Sequence, residues 1–313
     1  MKILVVGHLS IDRQESLAGS AREAYGGIYH AVRTLAALAG RGDVIVPVFS
    51  VHGADTQPLL NDLKRLSAVD PSGVYSVDVP TPRIGHPHGR GDHQEGPCNP
   101  HPPVPFSRIK PYLGADGILL NMVSGNDITL DTLDELRMAI RPRSVPVHFD
   151  YHNLTRGLGQ GGIRPRRPLE EWRRWAFMLD TVQLNEEEIG GLTVERMAEQ
   201  QTAGHLLTLG VKGVLVTKGE RGVTVYRNER KHVMRHDIAV SGRVDRVSPV
   251  GCGDVFGASF LYHYLLSGDL LASAEKAGVS GAECAQEQSL REGGAAPDGL
   301  HPGETSGAEE RRQ

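Results

Sequence analysis

The chain has 313 residues, of which 39% are hydrophobic and 23% charged, and its formal net charge is −4. This composition is that of a globular protein with enough chain for a large core, and the slight negative charge excludes a global basic field that would attract nucleic acid. No apolar run reaches the roughly 18 residues of a membrane span, and the first run, Ile3–Val6, is too short for a signal-peptide core.

The three cysteines, Cys98, Cys252 and Cys284, are odd in number and far apart in the chain. This spacing indicates neither a disulfide framework nor a Cys-x-x-Cys metal site. We therefore expect a reducing environment and a cytoplasmic location.

Short apolar runs alternate with amphipathic stretches along most of the chain. Runs rich in Val, Ile and Leu, without alternation of polar residues, predict buried parallel strands. They are Ile3–Val6, Val44–Phe49, Gly117–Asn121, Val145–Phe149, Thr181–Leu184 and Val214–Thr217. The predicted helices are Ile28–Ala39, Gln57–Leu66, Leu130–Ile140, Leu169–Met178, Glu186–Leu192, Val194–Leu207 and Val255–Ser267. This order predicts an α/β fold with a central, mainly parallel sheet flanked by helices.

Two segments interrupt the alternation. His86–Pro105 contains six Pro, three Gly and four His, and this composition predicts a loop or an elaborated flap. Its His and Cys residues match no familiar zinc spacing, so a solvated loop is favoured over a metal site. Residues 291–313 are polar and rich in Gly, and we expect a disordered tail after a domain of residues 1–290.

A Gly-Cys-Gly-Asp sequence, Gly251–Asp254, stands directly before a stretch with helical spacing. Gly251 and Gly253 lack a Cβ, so the backbone can turn tightly and approach a ligand. The first N–H groups of a helix have no intrahelical partner, and they lie at the positive end of its dipole, which predicts an anion site. Asp254 is then either a helix cap or a general base, and the spacing leaves both open.

Polar and glycine residues also follow two further strands, and the sequence allows a functional and a purely structural interpretation for each group. Asn185 and Glu188, three residues apart at a helix start, are able to hold hydrated Mg²⁺, or to form a simple capping box. The segment Lys218–Gly222 connects two strands, and its glycines suit either a nucleotide shelf or an ordinary surface hairpin.

Asp12 follows the first strand, and Gly26-Gly27 opens the first helix, which makes a second glycine–helix junction. Asp150–Asn153 follows another strand end, where α/β sheets place ligands, although turn chemistry is the favoured interpretation there. Arg164–Arg167 is interpreted as a solvated basic loop rather than a nucleic-acid contact.

These segments, in this order, resemble the ribokinase-like (PfkB-type) carbohydrate kinases. The matching sequences are VVGHLSID, YGG, QLNEEE, VTKGERGV and GCGDVF, spread over residues 1 to about 290. The resemblance implies a central sheet with a small β-sheet lid, formed by segments near residues 8–27 and 75–108. It also implies an enzyme that uses ATP and Mg²⁺, and it allows a homodimer through the lid.

The resemblance also implies roles for individual residues. Asp254 becomes the general base, with Gly251, Cys252 and Gly253 as the anion hole. The nucleotide side comprises Asn185, Glu188, Thr217, Lys218, Gly219, Gly222 and Ser280, with Glu188 and Asn185 organising Mg²⁺ through water. Asp12, Gly26 and Gly27 hold the hydroxyl groups of the acceptor.

The chain departs from the family pattern at three places. Ser248-Pro249-Val250 replaces the usual Asp-Thr-Thr, and we expect only weak dependence on potassium because the carboxylate of a monovalent-cation site is missing. Ala31 replaces a sugar-binding Asn of the family, so the usual set of acceptor contacts is altered and the resemblance does not imply ribose or fructose as the acceptor. Cys252 replaces Ala and is interpreted as a small packed thiol rather than a nucleophile.

The sequence therefore predicts an ATP-dependent kinase of a small sugar, polyol or nucleoside. One alternative is a dedicated nucleoside kinase, favoured if Tyr29 or a lid aromatic stacks on a base. The other alternative is a binding or regulatory protein that keeps the fold without turnover.

Overall fold

A computed structural model describes residues 1–15, 21–86, 101–156, 165–239 and 250–292. Twelve strands are present in this part of the chain: β1 Lys2–Val6, β2 Leu9–Glu15, β3 Ala21–Gly27, β4 Val44–His52, β5 Val74–Val77, β6 Arg83–His86, β7 Gly117–Asn121, β8 Val147–Asp150, β9 Thr181–Asn185, β10 Gly213–Thr217, β11 Val223–Glu229 and β12 His232–Ile238. Every strand that the sequence predicts is confirmed, with ends that differ by at most three residues.

The α-helices separate most of these strands. They are α1 Ile28–Leu38, α2 Gly53–Leu63, α3 Phe106–Ile109, α4 Leu130–Ile140, α5 Trp172–Phe177, α6 Glu186–Gly191, α7 Glu199–Thr208, α8 Cys252–Ser267 and α9 Leu270–Glu292. The predicted helices all form. Helices α2 and α8 begin earlier than their apolar periodicity indicates, because the polar and glycine residues at a helix start carry no such signal. No helix among the described residues is long and apolar enough to cross a membrane.

Nine strands form the central sheet in the order β12-β11-β10-β9-β8-β7-β1-β4-β5. The seven strands from β10 to β5 pair in parallel, and β11 and β12 extend the sheet in antiparallel fashion. The parallel strands therefore all end at one edge of the sheet, where open α/β folds place their ligands.

Helices cover both faces of this sheet. Along β1, Leu4 and Val6 belong to the core cluster that contains α4, α5 and α7, whereas Ile3 and Val5 belong to the cluster that contains α1, α2 and part of α8. All four side chains are at most 1% exposed. Burial on both faces explains why the strands are continuous apolar runs, since each fully buried Val, Ile or Leu contributes about 1.5–3 kcal/mol.

A second, three-stranded sheet has the order β3-β2-β6 and lies outside the central one. Strand β2 pairs with β3 antiparallel and with β6 in parallel. This small sheet follows directly from the end of β1 and leads into α1, so it stands over the carboxyl edge of the central sheet. The predicted fold class, with its small β-sheet lid, is confirmed.

Two boundaries differ from the expectation. Val74–Val77, expected in the flap, is strand β5 at the edge of the central sheet, where it pairs with β4. Helix α9 continues to Glu292, two residues past the expected domain end. The predicted tail beyond it, and most of the His- and Pro-rich segment, lie outside the described residues.

Candidate active site

Asp254 lies in the first turn of α8, close to the carboxyl edge of the sheet. The N-cap of α8 is Gly251 in the left-handed region, with φ of 77°, and no side chain caps the helix. Asp254 is the third residue of the helix and is 5% exposed. Its Oδ1 accepts a 2.6 Å hydrogen bond from Nδ2 of Asn121 at the end of β7. The carboxylate is therefore a fixed, buried acceptor beside an open helix start, and the simple cap interpretation does not describe it.

Asp150 and His152 stand beside Asp254. One ligand atom from each of these three residues lies within 4.8 Å of the others. The His152 N–H donates to Asp150 Oδ1 at 3.3 Å, and His152 has a φ of 36°. A non-glycine residue in the left-handed region is strained, and such strain tends to persist at functional sites. The strand-end segment that sequence reasoning interpreted mainly as a turn therefore lines the site.

The electrostatics of this cluster are unusual. Burial raises the pKa of Asp150 to about 8, and the charges of Glu188 and Asp254 act in the same direction. Burial works against the charged form of His152, but Asp254, Asp150 and Glu188 outweigh it and raise the pKa of this imidazole. Ionisable groups whose pKa values are shifted by burial and by one another are frequent at functional sites.

Gln183 on β9 connects the two halves of the site. Its Nε2 donates to the Gly253 carbonyl at 3.0 Å and lies 3.4 Å from Asp150 Oδ2. A side chain on Gly257 would overlap Gln183 Oε1, at 2.8 Å from an ideal Cβ. Sequence reasoning missed both Gln183 and Asn121, although each is a polar residue within or at the end of an apolar strand, which is the signal that would have identified them.

Asn185 and Glu188 form a reciprocal capping box at the start of α6. The Glu188 N–H donates to Asn185 Oδ1 at 2.8 Å, and the Asn185 N–H donates to Glu188 Oε2 at 2.8 Å. Asn185 Nδ2 also donates to Glu188 Oε1 at 2.9 Å. Burial raises the pKa of Glu188. Both oxygens of this carboxylate already accept hydrogen bonds, so contact with a metal through water fits the pair better than direct coordination.

The segment between β10 and β11 is the expected antiparallel hairpin. Gly219 and Gly222 have φ of 57° and 88°, so the turn requires glycine at both places. Thr217 Oγ1 donates to the Leu184 carbonyl at 3.4 Å, and Lys218 Nζ forms a 2.8 Å ion pair with Glu199. The Lys218 ammonium is thus directed towards α7, and the backbone of the turn is the part available to a ligand.

Helices α8 and α9 meet beside the glycine turn. Cys252 Sγ lies 3.2 Å from Cys284 Sγ, and Ser259 Oγ lies 3.0 Å from Ser280 Oγ. Cys252 is a half-buried thiol packed against α9, in agreement with its interpretation as a packing residue. Ser280, expected near the nucleotide, is half-buried at this helix contact.

Asp12 lies on β2 and is 4% exposed. Its Oδ1 accepts a 2.8 Å hydrogen bond from Ser10 Oγ. An ideal Cβ on Gly26 of the paired strand would stand 2.0 Å from Asp12 Oδ2, so only glycine leaves room for this carboxylate. Gly27, with φ of 57°, is the N-cap of α1, again without a side-chain cap. The structure thus brings Asp12, Gly26 and Gly27 together at the base of the lid.

His30 joins this lid region to the glycine turn, and sequence reasoning noted it only as a neighbour of Ala31. Its Nε2 lies 3.7 Å from Asp12 Oδ2, and its ring packs where a Cβ on Gly251 would be, at 2.7–2.8 Å. Burial lowers the pKa of His30, but Asp12 and Asp254 outweigh this effect and raise it. The buried Nε2 has no hydrogen-bond partner among the described residues.

Two other sequence interpretations can be followed. Tyr29 is buried, packs against Tyr25 with ring centroids 5.3 Å apart, and donates a hydrogen bond to Asp62. It is therefore engaged in the protein core. His101 is fully buried, and its Nδ1 lies 2.7 Å from Ser50 Oγ. Ser248 and Pro249 lie outside the described residues.

The residues present fit a magnesium ion. Carboxylate oxygens are its preferred protein ligands, and Asp150 supplies them in the cluster that also contains Asp254. The raised pKa of Asp150 indicates that its ionised form lacks compensation in the protein alone, and a divalent cation would supply it. Glu188 and Asn185 lie on the adjacent strand end and would hold water around the ion.

Comparisons with known proteins agree with this architecture. Residues 160–296 match the model of the pfkB family carbohydrate kinases. No curated protein sequence matches the chain. A sulfate-bound pyrophosphate-dependent kinase of the ribokinase family superposes with a TM-score of 0.71 at 18% identity, covering 92% of this chain and 95% of its own.

Two further solved structures have the same fold. The ribokinase of Thermotoga maritima superposes with a TM-score of 0.68 at 20% identity, covering 91% of this chain and 93% of its own. A nucleoside kinase of Burkholderia thailandensis in complex with inosine gives 0.66 at 19% identity, covering 92% of both chains. The resemblance that the sequence motifs indicate is therefore confirmed.

Proposed function

We propose that this protein transfers a phosphoryl group from ATP to a hydroxyl of a small sugar, polyol or nucleoside. The ribokinase-like fold and the match to the PfkB carbohydrate kinases over the C-terminal part of the chain support this proposal. The observation that carries this proposal is the setting of Asp254. Its buried carboxylate accepts from Asn121 and stands in the first turn of a helix that has no side-chain cap.

Phosphoryl transfer requires little covalent chemistry from the protein and depends on positioning and charge. Asp254 takes the proton of the attacking hydroxyl as that oxygen bonds to phosphorus. The N–H groups around Gly251–Gly253 stabilise the charge on the transferring group, helped by the dipole of α8. The Asp12 carboxylate holds the acceptor beneath the lid.

A bound Mg²⁺ would offset the negative charge of the donor's phosphate oxygens. Asp150 is the residue of this chain best suited to contact it, since its buried carboxyl lies beside Asp254. Asn185 and Glu188 would hold the surrounding water. Because Gln183 bonds both the Asp150 carboxyl and the Gly253 carbonyl, it couples the cation side of the site to the glycine turn.

The donor has two candidates. One of the matching structures is a protein of E. coli described as a ribokinase II, in complex with ATP and Mg²⁺. Others are pyrophosphate-dependent kinases, one of them in complex with a pyrophosphate analogue and myo-inositol. ATP is the donor we favour, because the glycine turn of the β10–β11 hairpin lies at the same sheet edge and its exposed backbone suits a nucleotide.

The test is a screen of both donors against myo-inositol, D-ribose and inosine with Mg²⁺, in which ADP or phosphate release is measured. We expect turnover with ATP, and we expect Asp254→Asn to lower kcat by about 10³-fold or more, because the base is lost while the N–H groups remain. ATP binding, measured by calorimetry, should change little.

The matched control is Asp131→Asn, a carboxylate on α4 that is 85% exposed. It should keep the wild-type kcat. Undiminished turnover in Asp254→Asn would contradict the mechanism. Failure of every acceptor with both donors, together with tight ATP binding, would favour the alternative of a binding or regulatory protein.

A dedicated nucleoside kinase remains the second candidate, because one matching structure is a nucleoside kinase with inosine. This candidate requires that Tyr29 or an aromatic side chain of the lid stacks on a base. Tyr29 does not meet that condition, since its ring is buried and its hydroxyl is bound to Asp62. Tyr25 on β3 is a partly buried aromatic of the lid, so the acceptor screen decides between the two candidates. A homodimer through the lid stays part of the proposal, and light scattering against the 33.9 kDa chain mass tests it.

A further inference from the structure

His30 lies between the two halves of the proposed site. Its side chain is 19% exposed, and that of Asp12 is 6% exposed. Its imidazole ring packs directly on Gly251, the N-cap of α8, where any Cβ would approach the ring to within 2.7 Å. Packing against α8 therefore fixes the ring, and no hydrogen bond within the described residues uses its Nε2.

The distance between His30 Nε2 and Asp12 Oδ2 is 3.7 Å. This is close enough for an ion pair but too long for a hydrogen bond. Two atoms at this separation can share one oxygen at about 2.8 Å from each, the usual distance for such bonds. A hydroxyl there satisfies both, since it accepts from the imidazole and donates to the carboxylate. Nε2 is buried and makes no hydrogen bond by geometry, and its ion pair with Asp12 is long, so an oxygen shared with Asp12 gives the imidazole a hydrogen bond that the ion pair alone does not.

We propose that His30 is an acceptor-binding and specificity-determining residue, which together with Asp12 holds one hydroxyl of the acceptor near the hydroxyl that is phosphorylated. This inference rests on the proposed kinase function and narrows its substrate class. The acceptor is a polyhydroxy compound that carries a hydroxyl at the held position.

The pair discriminates among acceptors by its charges. Asp12 and Asp254 face His30 and favour its imidazolium form, and Cys284 lies near the same ring. An imidazolium has no acceptor atom, so it pairs with an oxygen and repels an ammonium group. A deoxy analogue removes the hydroxyl that the imidazole and the carboxylate share, and an amino analogue places a second cation beside His30. Both should be poor acceptors.

The experiment uses the full chain and the acceptor that is turned over among myo-inositol, D-ribose and inosine. KM and kcat are measured for that acceptor and for its single-deoxy analogues, in the wild type and in His30→Ala. In the wild type, one deoxy analogue should have a KM about 10- to 100-fold higher, the loss expected for a hydrogen bond to a charged group. In His30→Ala, the full acceptor should show a similar loss, and that same analogue should be only a few-fold worse than the full acceptor.

His30→Gln retains an N–H donor and should recover part of the affinity, and it serves as the test variant if His30→Ala does not fold. The control is His205→Gln, an exposed histidine on α7, which should leave KM and kcat unchanged. The inference is overturned if turnover is present but His30→Ala keeps the wild-type KM. It is also overturned if every deoxy analogue loses the same factor in both enzymes. Absence of turnover with every donor and acceptor overturns the kinase function itself, so the two failures are distinguishable.

Discussion

Asn121 orients the proposed base. Its amide donates a 2.6 Å hydrogen bond to Asp254 Oδ1, and both residues are almost completely buried. A hydrogen bond to a buried charged group contributes about 1.5–3 kcal/mol. The carboxylate of Asp254 would lose its fixed orientation if this donor were removed, and the attacking hydroxyl would meet a misplaced acceptor.

We therefore expect Asn121→Ala to lower kcat by about 10- to 100-fold. The KM for the acceptor should change less, because Asn121 contacts Asp254 rather than the residues that hold the acceptor. Steady-state kinetics with ADP release separates the two parameters. The control is Asn228→Ala, an exposed residue of β11, which should have no effect. A wild-type kcat in Asn121→Ala would argue against the role of the Asn121–Asp254 pair.

At the scale of elements, the contact between α8 and α9 brings two thiols together. Cys252 is the first residue of α8, and its Sγ lies 3.2 Å from Cys284 Sγ on α9. The hydrogen bond from Cys252 lowers the pKa of Cys284, and the nearby His30 acts in the same direction. Cys284 is therefore the better nucleophile of the pair, since the thiolate is the reactive form.

Hydrogen peroxide should convert these two thiols into a disulfide, with release of two water molecules. A disulfide requires the sulfur atoms to approach from 3.2 Å to about 2.05 Å, and a shift of the anion hole by the full difference of about 1 Å would cost up to about 100-fold in rate. We expect kcat to fall to that extent and to recover with dithiothreitol.

The measurement is a count of alkylatable thiols together with kcat, in a Cys98→Ser background so that only two cysteines remain. Cys284→Ala should retain its kcat after peroxide treatment. Full loss of activity in Cys284→Ala under the same treatment, or a disulfide with unchanged kcat, would refute the link between the two helices and the rate.

Elements were the part of this fold that the sequence predicted best. The buried strands are continuous apolar runs because helices cover both faces of the sheet, and this signal is local. Helix starts were predicted less well, since α8 begins with Cys252 and Gly253, which carry no apolar periodicity. The edge strand β5, Val74–Val77, was missed because it is half-exposed and short.

At the scale of the whole molecule, the site depends on the order of strands in the sheet. Asp254 and the Gly251–Gly253 turn could be predicted because their chemistry is contained in one short sequence. Asn121, Gln183 and His30 belong to three elements far apart in the chain, and only the sheet order β9-β8-β7-β1 brings them together. No local pattern marks such residues except a polar side chain in an apolar setting.

The same convergence makes the stability of the protein depend on pH. Asp150 has a pKa of about 8 when folded, against 3.8 as its ordinary value, because it is buried beside other carboxylates. The folded state therefore keeps a proton that the unfolded chain has already lost. The stability that this proton provides is fully present below pH 3.8 and disappears as the pH rises to about 8. His30 and His152, whose pKa values are also raised, change stability in the same direction above pH 6.5.

His148 changes the stability in the opposite direction, because burial lowers its pKa to about 3. Above pH 6.5, however, its imidazole is neutral in both the folded and the unfolded state. In the interval from pH 6.5 to 8, the groups with raised pKa values lower the stability as the pH rises, whereas the lowered pKa of Cys284 acts in the opposite direction. Without Mg²⁺, the free energy of unfolding should fall over this interval, with Asp150 contributing on the order of 2 kcal/mol. Urea unfolding at several pH values measures this slope. Asp150→Asn should flatten it by that amount, whereas the exposed Asp131→Asn should leave it unchanged. Equal slopes in wild type and Asp150→Asn would mean that Asp150 is already ionised when folded, and Mg²⁺ binding would then gain nothing from relieving its burial.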